Sequence, residues 1–142
     1  EDQERQDPGQ RMSPTQRALA FCKAQGWTVQ VVERWNQWAG VRQDVFGCID
    51  LLVLDGQGGG PLGVQVTSGS NVAARLTKSR AEPRLQQWLA SPARFEVWGY
   101  SKRKKRKKDG SFGKAMEWVL RREVLGAKTE EPVRSDPAMW DL

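Results

Sequence analysis

An apolar block that contains a single acid most limits how this chain folds. Residues 46–54 read FGCIDLLVL, and Asp50 is the only charged residue among them. A glycine-rich stretch over 55–61 follows, and then a second short apolar run over 62–67. Turn residues between two apolar runs predict a hairpin with 55–61 as its connection. We expect these two strands at the centre of the fold.

Helices and further strands are predicted on either side of this hairpin. Ser13 and Pro14 have the residue types of a helix cap and a first helical position, so a helix is expected over 14–25. The remaining predictions are a strand over 27–35, a polar link over 36–44, a helix over 71–80, a further helical turn over 83–90, and strands over 94–100 and 115–124. The predicted order is α-β-β-β-α-β-β, which indicates the α/β class.

The length of 142 residues suits one domain, since two would each be too short to bury a proper core. We expect that domain over 13–125, with a disordered tail over 1–12 and an irregular tail over 126–142. The longest uninterrupted apolar stretch, 51–54, is far below the ~20 residues that cross a bilayer. The first twenty residues contain no apolar block of the kind found in signal peptides. The sequence therefore predicts a soluble, cytoplasmic protein without a membrane partner.

The chain contains no histidine, and this removes several classes of chemistry. Ser-His-Asp and Cys-His catalysis, His-ligated metal nucleases and Cys2His2 zinc fingers all need imidazole. Two cysteines, Cys22 and Cys48, are too few for a tetrahedral thiolate site, and we expect both to be buried free thiols. Any metal must therefore be held by oxygen ligands, which favours magnesium or manganese.

Most of the positive charge lies in one run. The formal net charge is +6, and this run carries seven positive charges, so the rest of the chain sums to −1. Its members are Lys102, Arg103, Lys104, Lys105, Arg106, Lys107 and Lys108. We expect them in a basic loop over 101–114 that contacts the phosphates of nucleic acid. A solvated hairpin tip without a partner and a look-alike of a nuclear-localisation signal stay open.

Asp50 is the first candidate for chemistry, because a carboxylate inside an apolar strand is costly unless something pairs with it. On the next strand, alternation places Gln65 and Thr67 on one face and the apolar residues on the other. Asp44 and Arg42 are close enough in sequence to join the same polar patch. The alternative is that Asp50 caps backbone groups or pairs with an arginine.

The stretches Gly47-x-x-Asp50-Leu51-Leu52 and Val64-Gln65-Val66-Thr67-Ser68, in this order of elements, resemble the PD-(D/E)XK nuclease superfamily. The nearest likeness is to Holliday junction resolvases and to restriction endonucleases with Gln at the second motif position. The resemblance covers residues 14–100. It implies a restriction endonuclease-like core, a mixed central sheet flanked by helices.

The resemblance also implies roles for individual residues. Asp50 matches the metal-binding aspartate of the first motif, and Gln65 matches the second motif position. Thr67 occupies the position of the family's lysine, which orients the attacking water and stabilises the developing charge. A second carboxylate for Mg²⁺ or Mn²⁺ would have to come from Asp44 or Glu33, because the first helix has no acid. A relocated cation would come from Lys78, Arg75 or Arg42, of which the two arginines are also expected to bind nucleic acid.

Three functions remain after this reasoning. The first is a Mg²⁺- or Mn²⁺-dependent endonuclease that acts on DNA, including branched or mobile-element DNA. The second is a catalytically inactive nuclease-fold module that binds nucleic acid or another partner, and the third is an unrelated α/β protein with a basic loop. Junction resolvases work as dimers, so a homodimer stays open. Trp35 and Trp38, in a polar segment, are candidates for stacking on bases, with core or partner contacts as the alternative.

Overall fold

The computed structural model describes residues 12–127, and the predicted tails over 1–12 and 126–142 lie almost wholly outside them. The helices are α1 (Pro14–Ala24), α2 (Val72–Arg80) and α3 (Pro83–Ala90), with a 3-10 turn at Gly69–Asn71 before α2. The strands are β1 (Thr28–Val31), β2 (Arg34–Asn36), β3 (Val41–Gln43), β4 (Leu51–Leu54), β5 (Leu62–Ser68), β6 (Arg94–Arg106) and β7 (Phe112–Val124). None of the described helices is long and apolar enough to cross a membrane.

Five strands form one mixed sheet in the order β1-β4-β5-β6-β7. β5 and β6 run parallel, and every other neighbouring pair is antiparallel. β2 and β3 form a separate antiparallel hairpin. The predicted α/β class is confirmed.

Helices cover both faces of the sheet, because alternate side chains of the central strands are apolar on each side. On one face α1 contributes Ala18 and Cys22, which pack with Leu51, Val53, Leu62, Val64, Trp98 and Tyr100. On the other face α2 and α3 contribute Val72 and Leu85, which pack with Cys48, Ile49, Phe95, Val97 and Leu125. Both cysteines are free and buried, as predicted.

The strand register gathers several chain segments at one edge of the sheet, which we call the site edge. Val31 at the end of β1 pairs with Leu51 at the start of β4, and Leu51 pairs with Val64. Ser68 at the end of β5 pairs with Tyr100, beyond which β6 continues without β5. The β2–β3 hairpin is also attached here, because it lies in the chain between the end of β1 and the start of β4.

Two predicted strands are shorter than expected. The apolar block over 46–54 is extended only from Leu51, since residues 45–49 form a tight turn in which Phe46 and Gly47 have φ of 56° and 73°. The strand over 27–35 is interrupted after Val31, because the N–H groups of Val32 and Glu33 both donate to the carbonyl of Asp50. Apolar composition did not reveal either break. The predicted polar link over 36–44 was wrong, since most of it belongs to the β2–β3 hairpin.

The predicted basic loop over 101–114 was also wrong. β6 continues to Arg106 and β7 begins at Phe112, so that the connection is only residues 107–111. Residues 101–119 therefore form a two-stranded hairpin that extends beyond β5, and we call it the basic ribbon. A strand that is solvated on both sides needs no apolar alternation, so its sequence resembles that of a loop.

Candidate active site at one edge of the sheet

Asp50 is held directly against β5. Its backbone N–H donates to the carbonyl of Val64, and its Oδ2 accepts the N–H of Val66, both at 2.9 Å. These two residues flank Gln65, so Asp50 lies beside Gln65. Asp50 is 7% exposed and Gln65 is 3% exposed.

The environment of Asp50 opposes its negative charge. Burial raises the pKa of Asp50 to about 7, and the negative charges of Glu33 and Asp44 act in the same direction. The Val66 N–H and the positive charge of Arg75 act in the opposite direction. A carboxylate among acids and away from water is favourably placed to receive a cation.

Gln65 points toward α2. Its Oε1 accepts a hydrogen bond from Oγ of Ser79 at 3.4 Å, and Ser79 is completely buried. Thr67 lies two residues further along β5, opposite Gly99, and is also buried. The alternation predicted for β5 therefore brings Gln65 and Thr67 to the α2 side of the sheet.

Glu33 and Asp44 reach the same edge from the segments around the β2–β3 hairpin. The carbonyl of Asp50 accepts the N–H groups of Val32 at 2.9 Å and Glu33 at 3.2 Å. A cavity of about 750 Å³ has both acids in its wall. Its lining includes Gln30, Val32, Glu33, Arg34, Arg42, Asp44 and Arg84.

A second cavity of about 530 Å³ lies between the first turn of α1 and the hairpin. Its lining is Ser13, Pro14, Thr15, Val31, Glu33, Arg34, Trp35, Arg42 and Val66. Glu33 belongs to both cavities, and Val66 connects the second one to the backbone that holds Asp50.

The three candidate cations lie in different surroundings. Arg75 is half-buried on α2, and its charge lowers the pKa of Asp50. Lys78 is exposed, and its charge lowers the pKa of Glu82. Arg42 is largely exposed and lies 3.4 Å from Glu33. Of the three, Arg75 is the one whose charge acts on Asp50.

Oxygen ligands for a metal are present but sparse. Among residues 12–127, no three Asp, Glu, Cys or His side chains cluster as a metal site. Oδ2 of Asp50 is used by Val66, whereas Oδ1 accepts no hydrogen bond within the described part of the chain. Mg²⁺ is commonly bound by one or two carboxylates, with waters and substrate phosphates as the other ligands. The residue types at this edge, a buried carboxylate, an amide oxygen and a neighbouring acid, are those that such a mode uses.

Sequence reasoning did not identify two residues of this region. Ser79 holds Gln65, but an isolated serine in a helix gives no signal of such a contact. Arg34 lines both cavities, and its position directly after Glu33, a candidate second carboxylate, was the available signal. Comparison with known proteins adds no further residue: no family model, curated protein or solved structure matches this chain.

Proposed function

We propose that this protein is a divalent-metal-dependent nuclease of the PD-(D/E)XK type that acts on DNA, with Asp50 and Gln65 at the centre of its active site. The observation that carries the proposal is the hydrogen bonding of Asp50 to the β5 backbone on both sides of Gln65. This pairing joins the two short motifs on which the family resemblance depends.

The arrangement of elements supports the proposal. α1 is followed by the antiparallel strands β1, β4 and β5, then by helices, and then by β6 parallel to β5. Helices lie on both faces of this mixed sheet. A restriction endonuclease-like core requires such an order, with the β2–β3 hairpin as an insertion and the second helix divided at Pro83.

Asp50, Gln65 and Asp44 would hold the Mg²⁺ or Mn²⁺ ion. When bound, such an ion would supply Lewis-acid polarisation of the phosphodiester and lower the pKa of an attacking water. Asp50 binds a cation only as a carboxylate, and its raised pKa therefore makes binding stronger above about pH 7. The amide oxygen of Gln65 carries no charge, which leaves the site weakly anionic.

The cationic role of the family lysine falls to Arg75 in this proposal. Thr67 can donate a hydrogen bond but supplies no positive charge. Arg75 lies on α2 and already acts on the charge of Asp50. Its guanidinium would stabilise a phosphate that enters the site, because planar bidentate recognition of phosphate is the particular ability of arginine.

The test is cleavage of single-stranded, duplex and branched DNA with and without Mn²⁺ or Mg²⁺. We expect metal-dependent cleavage by the wild type, faster with Mn²⁺, and loss of cleavage in Asp50→Asn. Glu123→Gln is the matched control, because it neutralises a partly exposed acid that pairs with Arg121 at the surface. Equal cleavage by wild type and Asp50→Asn would contradict the proposal.

The same assay identifies the cation. Arg75→Ala should reduce cleavage by about 10²-fold or more, the typical effect of removing one group that stabilises transition-state charge. Lys78→Ala, on the exposed side of the same helix, should cleave at nearly the wild-type rate. Thr67→Lys should increase cleavage. The opposite order of the two alanine variants would assign the role to Lys78.

Binding of nucleic acid without cleavage is the second candidate function. It is favoured by one observation, the threonine at position 67 of a strand that otherwise carries the motif. No cleavage by the wild type with either metal, together with none by Thr67→Lys, would support this function over the first.

A further inference from the structure

The β2–β3 hairpin exposes two tryptophans. Trp35 is 62% exposed and Trp38 is 92% exposed. The backbone around Trp38 is nevertheless held firmly: Oδ1 of Asn36 accepts the N–H groups of Trp38 and Ala39 at 3.0 and 3.1 Å, and the carbonyl of Asn36 accepts the N–H of Gly40. A rigid turn that presents a large aromatic ring to solvent is typical of a binding surface rather than of a core.

The hairpin forms one wall of the cavity beside the candidate site. Trp35 and Arg42 are direct cross-strand partners, so their side chains share a face, and both line the cavity of about 530 Å³. The same cavity reaches Val66, whose N–H binds Asp50. A ligand on this face of the hairpin therefore lies near the segment of β5 whose backbone binds Asp50.

The opposite wall of that cavity leads to the basic ribbon. The first turn of α1 lines the cavity, and Arg17, in the next turn position, stacks on Trp118 of the ribbon at 3.8 Å. Lys102 is the cross-strand partner of Trp118, so it lies on the same face. The surface that runs from the ribbon, across the start of α1, to the hairpin thus carries aromatic and basic side chains at both ends: Arg17, Trp118 and Lys102 at one, Trp35 and Arg42 at the other.

We propose that this surface binds a single-stranded stretch of nucleic acid, with Trp38 and Trp35 stacking on its unpaired bases. The inference rests on the proposed function to the extent that the protein must bind nucleic acid. In a duplex the faces of the bases are covered by their neighbours, so exposed indole rings can stack only on bases outside a duplex. The phosphates then contact Arg34, Arg42 and the ribbon.

The charges around the tryptophans favour a polyanion over an apolar partner. Residues 34–43 contain two arginines and no acid. Both arginines are exposed, and both line the cavity of about 530 Å³. An apolar protein or lipid partner would have to desolvate Arg34 and the Arg42–Glu33 ion pair.

The experiment measures the affinity of the full chain for a fluorescent oligothymidylate, an oligouridylate and a duplex of equal length, by anisotropy at one fixed salt concentration. We expect Trp38→Ala to weaken binding of the single strands by roughly 5- to 150-fold and binding of the duplex by less than about 2-fold. The ratio of the affinities for oligothymidylate and oligouridylate then shows whether the surface prefers DNA or RNA. Trp38→Phe retains a ring and Trp38→Leu retains only apolar area, so only the former should rescue binding.

Unchanged thermal unfolding midpoints would confirm that these exposed substitutions leave the fold intact. Leu54→Ala is the control for binding, because Leu54 is exposed and lies at the end of β4 opposite to the site edge. Tighter binding of duplex than of single strand, or equal binding by wild type and Trp38→Ala, would overturn the inference and leave the proposed function standing. Rescue by Leu as complete as by Phe would overturn stacking and assign the hairpin to an apolar partner. Failure to bind any nucleic acid would overturn both.

Discussion

Asp50 is a carboxylate in surroundings that oppose its charge. It is almost completely buried, and the negative charges of Glu33 and Asp44 add to the effect of burial. The Val66 N–H is the hydrogen bond that stabilises the charged form. If Asp50 is retained for chemistry rather than for stability, a substitution that removes its charge should increase the stability of the folded protein.

Asp50→Asn should therefore stabilise the protein at alkaline pH. The pKa of Asp50 is raised from 3.8 to about 7 on folding, so the folded state binds a proton that the unfolded state has lost between these values. Wild-type stability thus decreases as pH rises from about 4 to 7, and the loss persists above 7. The asparagine variant lacks this loss and should be more stable at pH 8 by up to about 4 kcal/mol.

Urea unfolding of both proteins at pH 4, 6 and 8 measures this difference. The gap in unfolding free energy should widen with pH, while the denaturant slopes stay equal. A constant gap across this range would mean that Asp50 is not protonated near neutral pH in the folded protein.

At the scale of elements, prediction from sequence succeeded where burial imposes a pattern. α1, β5, α2 and α3 lie within a residue or two of their predicted bounds, because caps, prolines and apolar spacing mark them. Most of the β2–β3 hairpin and much of the basic ribbon, residues 101–106 and 112–114, were missed as strands, because both lie outside the main stack and are largely solvated. Their pairing depends on backbone hydrogen bonds between the strands, and no pattern of residue types in the sequence indicates those bonds.

The basic ribbon should control affinity but not the rate of cutting. Replacing Lys104, Lys105, Arg106 and Lys107 with Ser removes charge at the end of the ribbon, away from Asp50. We expect weaker binding and a shallower dependence of affinity on salt, since each lost phosphate contact reduces the slope by about 0.7–0.9. Cleavage at saturating substrate should stay near the wild-type rate.

Lys23→Ser and Arg80→Ser, at exposed basic positions outside the ribbon, are the controls for net charge. A salt slope that falls equally in these controls would mean that overall charge, and not the ribbon, attracts nucleic acid.

Across the whole molecule, the sheet topology brings distant segments to the site edge. Alternation on β5 was enough to predict that Gln65 and Thr67 share a face. The adjacency of Glu33 to Asp50 could not be predicted in the same way, because it depends on the break after β1 and on the two N–H groups that turn to the Asp50 carbonyl. The choice of Arg75 among three candidate cations likewise needed the position of α2 over the sheet.

Electron paramagnetic resonance of Mn²⁺ titrated into the protein tests the central claim most directly, because the signal of the free ion decreases as the ion binds. The account predicts that the wild type at pH 8 binds a single Mn²⁺ per chain, that binding weakens below pH 7 as Asp50 takes up its proton, and that Asp50→Asn binds none. Equal Mn²⁺ binding by the two proteins, or none by the wild type, would contradict a metal site at Asp50.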